Sequence, residues 1–266
     1  MKGYWGIVAL TAALAACGQT TDKLVLTGSS TMAPVIAEVA ERYEAQTGVQ
    51  VDVQSGGTGR GVSDVRQGLA DIGMASRALH SDEGDLTSFT VAQDGIALIV
   101  HRDNPVSALS DDQVRAIYQG STDNWRAVGG ENRPITVVNK AEGRSTLELF
   151  LEYFQLENRN VQADVVIGEN QQGIKVVAGD PAAIGYVSIG SAEYEAQAGT
   201  SIRLLPLGGV AARIETVNGK RYPLRRELNL VVKGEPADAA RAFIDFAHSD
   251  AVADLYRDHY FVPAQR

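Results

Sequence analysis

The chain has 266 residues and a net charge of −9; this excludes a general nucleic-acid surface, which needs a basic stripe. Its single cysteine, Cys17, excludes an intrachain disulfide. The part after it, roughly 250 residues, is long enough for one large or two medium domains. The acidity also repels anions, so an anion site in this chain must act through local donors rather than through long-range steering.

The first residues read as an export signal. Lys2 supplies a minimal positive region, residues 7–16 form a small or apolar run, and Leu14-Ala15-Ala16-Cys17-Gly18 puts small residues before the cysteine. The run is too short to cross a bilayer, which takes ~20 apolar residues. It resembles a bacterial lipobox, which implies a signal peptide over 1–16, acylation of Cys17 and a lipidated polar tether over 17–23. The plainer reading is a chance cysteine beside another cleavage point. The expectation is an exported, periplasmic protein held to a membrane by its lipid. Gly18 after the cysteine is compatible with outer-membrane sorting, and the choice between outer and inner membrane stays open.

Residues 24–26 read as a strand. Ser30 or Thr31 is placed to cap the next helix, with Pro34 in its first turn, Val35, Ile36, Val39, Ala40 and Tyr43 as its apolar face, and Gly48 as its end. Val49, Val51 and Val53 alternate as a strand, and Val62, Val65 and Leu69 mark a short helix before a strand at 71–75. This β-loop-α-β series favours a parallel sheet with crossover helices.

A second series follows a strand at 96–100. Ser110 caps a helix with Asp111 and Asp112 in its first turn and Gly120 as its stop. A strand at 135–138 leads to a helix through Leu147, Leu149, Phe150, Leu151 and Phe154. Strands at 164–167 and 184–187 flank a short helix at 171–177, and a strand at 228–232 precedes an amphipathic helix at 237–247. Two α/β units result, with 96–100 and 228–232 as the natural crossings between them. Ligands in such sheets bind beyond the carboxyl ends of the strands, and two facing units make a cleft.

Three loops rich in glycine and hydroxyl residues lie at those strand ends: Thr27-Gly28-Ser29-Ser30-Thr31, Ser55-Gly56-Gly57-Thr58-Gly59-Arg60-Gly61 and Glu142-Gly143-Arg144-Ser145-Thr146. Each runs into a helix, where free N–H groups, small hydroxyls and the helix dipole favour an anion. Taken singly, the first reads as an ordinary cap and the second equally as a tight turn. The second lacks the GxGxxG spacing of a dinucleotide site. The third is not a Walker A loop, which needs glycine at 138 and lysine at 144, where Val138 and Arg144 stand. Arg77 after Ser76, Lys140 and Arg144 are the cations near these loops, and a guanidinium can grip two oxygens at once.

Catalysis finds little support. His80, His101, His248 and His259 show no metal-ligand spacing, and no serine sits in a GxSxG elbow. No cofactor or metal is expected. Asp94 is placed to line the cleft, but Asp94-Gly95 reads more simply as a turn.

In order and spacing, these pieces resemble the phosphate-binding proteins that feed ABC-type phosphate importers. The resemblance spans essentially the whole chain after Cys17. It is carried by Thr27-Gly-Ser-Ser-Thr-Met-Ala-Pro34, Ser55-Gly-Gly-Thr-Gly-Arg-Gly61, Asp71-Ile-Gly-Met-Ala-Ser-Arg77, Asp94-Gly-Ile-Ala97, the stretch from Asn104-Pro105 to Asn124-Trp125, Ala183-Ile-Gly-Tyr-Val187 and Tyr222-Pro-Leu-Arg225. It implies a type II periplasmic-binding-protein fold, with two α/β domains (24–97 with 227–266, and 98–226) joined by a two-strand hinge and closing on the anion.

Carried onto matching positions, the resemblance implies phosphate contacts from Ser30, Thr31, Gly57, Thr58, Ser76, Arg77, Lys140, Arg144, Ser145 and Thr146. The partners implied are phosphate, ABC permease subunits and a membrane through the lipid, with the protein itself a monomer. Two positions depart from the family. A serine, Ser76, stands where some members place an aspartate that accepts a proton from phosphate. Lys140 and Gly143-Arg-Ser-Thr146 replace an arginine followed by Gly-Ser-Gly-Thr. Other readings are a binder of sulfate, molybdate or tungstate, a phosphoester hydrolase, or an envelope sensor.

Overall fold

The computed structural model describes residues 23–264; the expected signal peptide and Cys17 lie outside the described residues. The first series is β1 (Lys23–Gly28), α1 (Ala33–Thr47), β2 (Gln50–Ser55), α2 (Thr58–Gln67) and β3 (Ile72–Ala75). Next come β4 (Leu86–His101), α3 (Asp111–Tyr118), β5 (Thr136–Lys140), α4 (Ser145–Phe154), β6 (Val165–Ile167), α5 (Asn170–Gly179) and β7 (Ala183–Ser188). The chain continues through α6 (Ile189–Gln197), β8 (Ile202–Leu204), α7 (Ile214–Asn218) and β9 (Arg225–Lys233). It ends on α8 (Asp238–Ala247), α9 (Ala253–Asp258) and β10 (Val262–Pro263).

The strands form one sheet in the order β2-β1-β3-β9-β4-β7-β5-β6, with β8 and β10 paired to β4. Each end is parallel as expected, β1 pairing with β2 and β3, and β5 with β6 and β7. The centre is not. β9 runs antiparallel to both β3 and β4, and β4 antiparallel to β7. The sheet is therefore mixed, because the two long central strands return against their neighbours instead of crossing over through a helix.

β4 is the larger surprise. The expected strand at 96–100 is only the end of a strand starting at Leu86, which pairs with β9 from Leu86↔Lys233 to Gly95↔Arg225 with a bulge between Thr90 and Ala92. Asp94-Gly95 is thus not a turn. Glycine leaves room there for close packing: a Cβ on Gly95 would lie 2.6 Å from Ile189 Cδ1 and 3.1 Å from Val217 Cγ2, so these side chains would have to shift.

β4 also links separate apolar cores. Val91 and Ala92 pack with Leu26, Ile36, Val39, Ile72, Leu230 and Phe243. Ile96, Leu98 and Val100 pack with Val114, Trp125, Phe150, Tyr186 and Leu224. Ile99 faces a third cluster with Val138, Ile174 and Val187. Each such aliphatic side chain, fully buried, contributes about 1.5–3 kcal/mol, so both halves have the apolar content to hold their loops in place. In the second core the Phe150 and Tyr186 rings stack with centroids 3.8 Å apart.

The helices follow their local signals. Ser110 caps α3, its Oγ accepting from Gln113 N at 3.2 Å while Gln113 Oε1 accepts from Ser110 N at 2.8 Å. α1 buries the expected face and stops at Gly48. Its start differs from expectation, since Met32 is the N-cap position and has no side-chain cap. Ser29, rather than Ser30 or Thr31, turns the chain: its carbonyl accepts from Met32 N and Ala33 N, and its Oγ accepts from Met32 N at 3.3 Å. The hydroxyl of Thr31 is thereby released for other partners.

Candidate functional site

Five loop ends converge on one small recess. They follow β1, precede α2, follow β3, join β5 to α4 and join β6 to α5. Ser30, Thr31, Gly57, Thr58, Ser76, Lys140, Arg144, Ser145 and Thr146 all line it, together with Ser29 and Gly168. Larger surface recesses exist, one of them bounded by His248, Asp250, Tyr256 and Arg257. What sets the small recess apart is the convergence of donors from separate loops, not its size.

Ser76 is its hydroxyl node. Its Oγ lies 2.6 Å from Ser145 Oγ, 3.0 Å from Ser29 Oγ and 3.5 Å from Thr58 Oγ1, and its backbone N–H donates to Thr58 Oγ1 at 3.1 Å. Gly57 lets α2 begin close to the opposite loop. Its φ is +94°, and a Cβ there would meet Gly143 O at 2.8 Å, which is why only glycine is free of strain at this point. Beside it, Gly59 N donates to Gly143 O at 3.1 Å.

Arg77 departs from expectation. Its guanidinium is turned to two carboxylates, bidentate to Glu83 with both contacts at 2.8 Å and to Glu148 at 2.7 Å, and it also donates to Ala78 O. These acceptors draw it away from the other expected residues. It ties the end of β3 to α4 instead of lining the recess.

A different arginine, one residue beyond the motif that ends at Arg225, bonds to the hydroxyls that line the recess. Arg226 and Asp94 face each other across β9 and β4 and form an ion pair with side chains 1% and 0% exposed. Asp94 Oδ2 accepts from Arg226 Nη2 at 2.8 Å and from Nε at 3.1 Å, while Asp94 Oδ1 accepts from Gly190 N. The remaining donors of Arg226 reach Thr31 Oγ1 at 3.1 Å, Thr146 Oγ1 at 2.9 Å and Ser76 Oγ at 3.4 Å. One guanidinium thus joins hydroxyls from three loops. A signal for it existed in the sequence: strand alternation puts Arg226 on the same inward face as Leu228 and Leu230, where a charge requires a partner.

Two further cations differ in kind. Arg144 donates to Glu169 Oε1 at 3.0 Å and keeps about a fifth of its side chain exposed. Lys140 is 3% exposed and donates through Nζ to Asn170 Oδ1 at 2.9 Å; Asn170 in turn donates to Thr31 Oγ1 at 3.1 Å. Burial, followed by the nearby Arg226, lowers the Lys140 pKa to about 7, with Arg144 adding to the effect and Glu169 opposing it. Asn170 was not foreseen, since an amide at a helix start has no distinguishing local pattern. The arrangement presents hydroxyls and cations inward while Asp94 and Glu169 brace the guanidinium groups, a chemistry suited to holding a compact oxyanion.

The chain is similar to known proteins. The phosphate-binding protein PstS of Bacillus subtilis is 27% identical over 251 residues, covering 92% of this chain and 82% of the relative. A putative phosphate ABC transporter substrate-binding protein from Clostridium perfringens, solved with bound phosphate, superposes with a TM-score of 0.84 at 29% identity, over 91% of this chain and 100% of that one. An ABC-type phosphate transport receptor from Vibrio cholerae gives a TM-score of 0.75 at 29% identity, over 90% and 99% of the two chains. The fold is the type II periplasmic-binding-protein fold. With residues 15–251 matching the model of the PBP superfamily domain, the chain belongs to that family.

Proposed function

We propose that this protein binds inorganic phosphate outside the cytoplasmic membrane and delivers it to an ABC permease by hinge closure, as a binding protein and not an enzyme. The observation that carries the reading is the convergence of Thr31, Ser76 and Thr146 on Arg226, in a recess whose lining contains no carboxylate. The similarity to a phosphate-bound neighbour supports the same ligand.

The energetics are adequate. Micromolar binding corresponds to about −8 kcal/mol, and each hydrogen bond to a charged group contributes roughly 1.5–3 kcal/mol. Half a dozen donors with a cation exceed the immobilisation cost. In this reading the ligands are Ser30, Thr31, Gly57, Thr58, Ser76, Lys140, Arg144, Ser145, Thr146 and Arg226, and Arg77 serves closure instead.

The two domains are 24–97 with 227–266, and 98–226, with β4 and β9 as the hinge. Contacts such as Ser76 Oγ to Ser145 Oγ and Arg77 to Glu148 then hold the closed state, which the anion favours by engaging donors from both domains at once. Export, lipid anchoring through Cys17 and a monomeric state complete the proposal.

A second reading, sulfate or another tetrahedral oxyanion, is favoured by Ser76: without a carboxylate acceptor at the recess, nothing penalises an anion that carries no proton. Calorimetry with phosphate, sulfate, molybdate and tungstate across pH separates the two readings. Thr58→Ala and Arg144→Ala are each expected to weaken phosphate binding tenfold or more; unchanged affinity in both would overturn the site assignment.

A further inference from the structure

Arg144 lines the recess and Arg226 bonds to its hydroxyls, and both are already paired, with Glu169 and Asp94 respectively. Lys140 is different. It is almost fully buried, its terminal nitrogen meets the neutral Asn170 amide, and among the described residues no carboxylate forms an ion pair with it. The groups around it are accounted for element by element. On β5, Asn139 receives the Tyr186 hydroxyl of β7 at 2.5 Å, and that same hydroxyl accepts from Lys140 N. The Tyr118 hydroxyl of α3 is directed to Val138 O. From β9 comes Arg226, from the loop after β5 comes Arg144, and just before α5 stands Glu169, whose Oε1 is occupied by Arg144 and Ser55.

The three cations therefore differ in what they can do. The guanidinium groups stay charged at every accessible pH, whereas an amine can give up its proton. Burial and the neighbouring Arg226 place Lys140 near the middle of the physiological range, at about 7. A dianion beside it acts in the opposite direction and favours the ammonium form.

Resting on the reading of the recess as an oxyanion site, we infer that Lys140 is its charge-adjusting and specificity-determining residue: buried without a carboxylate partner, it gives up its proton readily before the anion enters and takes one proton from solvent as a dianion settles against the deprotonated amine. The balance is simple. One amine, one proton and one dianion become an ammonium–dianion pair, and no bond of the anion is broken. The site is thereby matched to anions that arrive fully deprotonated. Ser76, in place of an acceptor, fits the same preference.

The test is calorimetric titration of the full chain with inorganic phosphate at about pH 8.5, where phosphate is already a dianion, in two buffers with different heats of ionisation. Close to one proton should be taken up per phosphate bound, and affinity should fall by nearly tenfold per pH unit above about 8. Lys140→Met should bind more weakly with no uptake. Lys140→Arg, permanently charged, should bind with no uptake and a flat pH dependence. Binding without uptake in the wild type, or uptake that persists in Lys140→Met, overturns the inference.

A direct measurement covers variants that fail to fold: the carbon-13 shift of the Lys140 Cε in anion-free wild-type protein, followed against pH. An amine titrating near neutrality supports the inference, and one still charged above about pH 9 overturns it. Failure of phosphate to bind at any pH would instead refute the phosphate reading, and the amine titration stands apart from that result.

Discussion

Asp94→Asn tests whether the buried ion pair organises the recess. The substitution removes a charge from a side chain that is 0% exposed and leaves Arg226, 1% exposed, without its counterion. Breaking a buried pair from one side costs about 3–5 kcal/mol. Asparagine keeps an amide oxygen for Arg226 or for Gly190 N, so the expected loss lies at the lower end, about 3 kcal/mol. For a protein of this size that lowers Tm by about 6–12 °C. The effect should depend on ligand. An anion that binds only the folded state adds about 4 kcal/mol at a thousand times its Kd, and in the variant it also supplies the charge that Asp94 no longer provides. Phosphate should therefore raise Tm by more in Asp94→Asn than in the wild type. Thermal unfolding with and without phosphate measures both quantities. A loss below about 1 kcal/mol, or a phosphate-induced rise no larger than the wild type's, would refute the role given to the pair.

Gly57→Ala should weaken phosphate binding about tenfold, since its Cβ would press on Gly143 O at 2.8 Å and Arg144 Cδ at 2.9 Å, and a Kd equal to that of the wild type by calorimetry would count against this close approach. Glu148→Gln removes one partner of Arg77 but leaves Glu83 in place; because Glu148 is a third exposed, the loss is about 0.5–1 kcal/mol, read as a two- to fivefold rise in Kd. Acid stability should depend on Glu83. Burial raises its pKa, but the hydrogen bonds and charge of Arg77 outweigh that and leave it below the ordinary value. A depressed folded pKa makes its contribution present above the unfolded value and lost as pH falls through the folded one. Glu83→Gln should therefore flatten the acid limb of a stability–pH profile and leave its slope above neutrality unchanged, as denaturant unfolding at a series of pH values can check.

What was legible in the sequence was local. Glycines, hydroxyls and caps act over a few residues, so the three loops and the helices that follow them could be placed, as could the Ser110 cap, whose reciprocal partner in the structure is Gln113. Where the sequence reading failed, distant partners decide. Arg77 leaves the recess because Glu83 and Glu148 receive it, and Glu148 lies on α4, far along the chain. Asp94-Gly95 resembles a turn until β9 is laid beside β4 and Ile189 is packed against the glycine. Strand alternation marks Arg226 as an inward charge that needs a partner, but the register Asp94↔Arg226 that supplies the partner is encoded by no local pattern. Even Thr31 was misread, since the capping role expected for Ser30 or Thr31 falls to Ser29 and frees Thr31 for Arg226 and Asn170.

These departures explain how a chain of net charge −9 can present a site for an anion. Exposed charges more than about 8 Å apart are largely screened at physiological ionic strength, so the acidic surface acts weakly on an ion already inside the recess. Lys140, which lines it, and Arg226, which bonds to its hydroxyls, are buried and escape that screening. Arg226 and Arg144 are braced by Asp94 and Glu169, which fixes their direction while offsetting most of their formal charge. Of these three cations Lys140 is the one with no carboxylate in an ion pair with it among the described residues, so in the proposed site attraction for a dianion would concentrate on the cation whose charge can change. The neutral donors of Thr31, Thr58, Ser76, Ser145 and Thr146 then set shape rather than charge. Their convergence on Arg226 and on Ser76, rather than any single loop, is what distinguishes this recess from three ordinary helix starts.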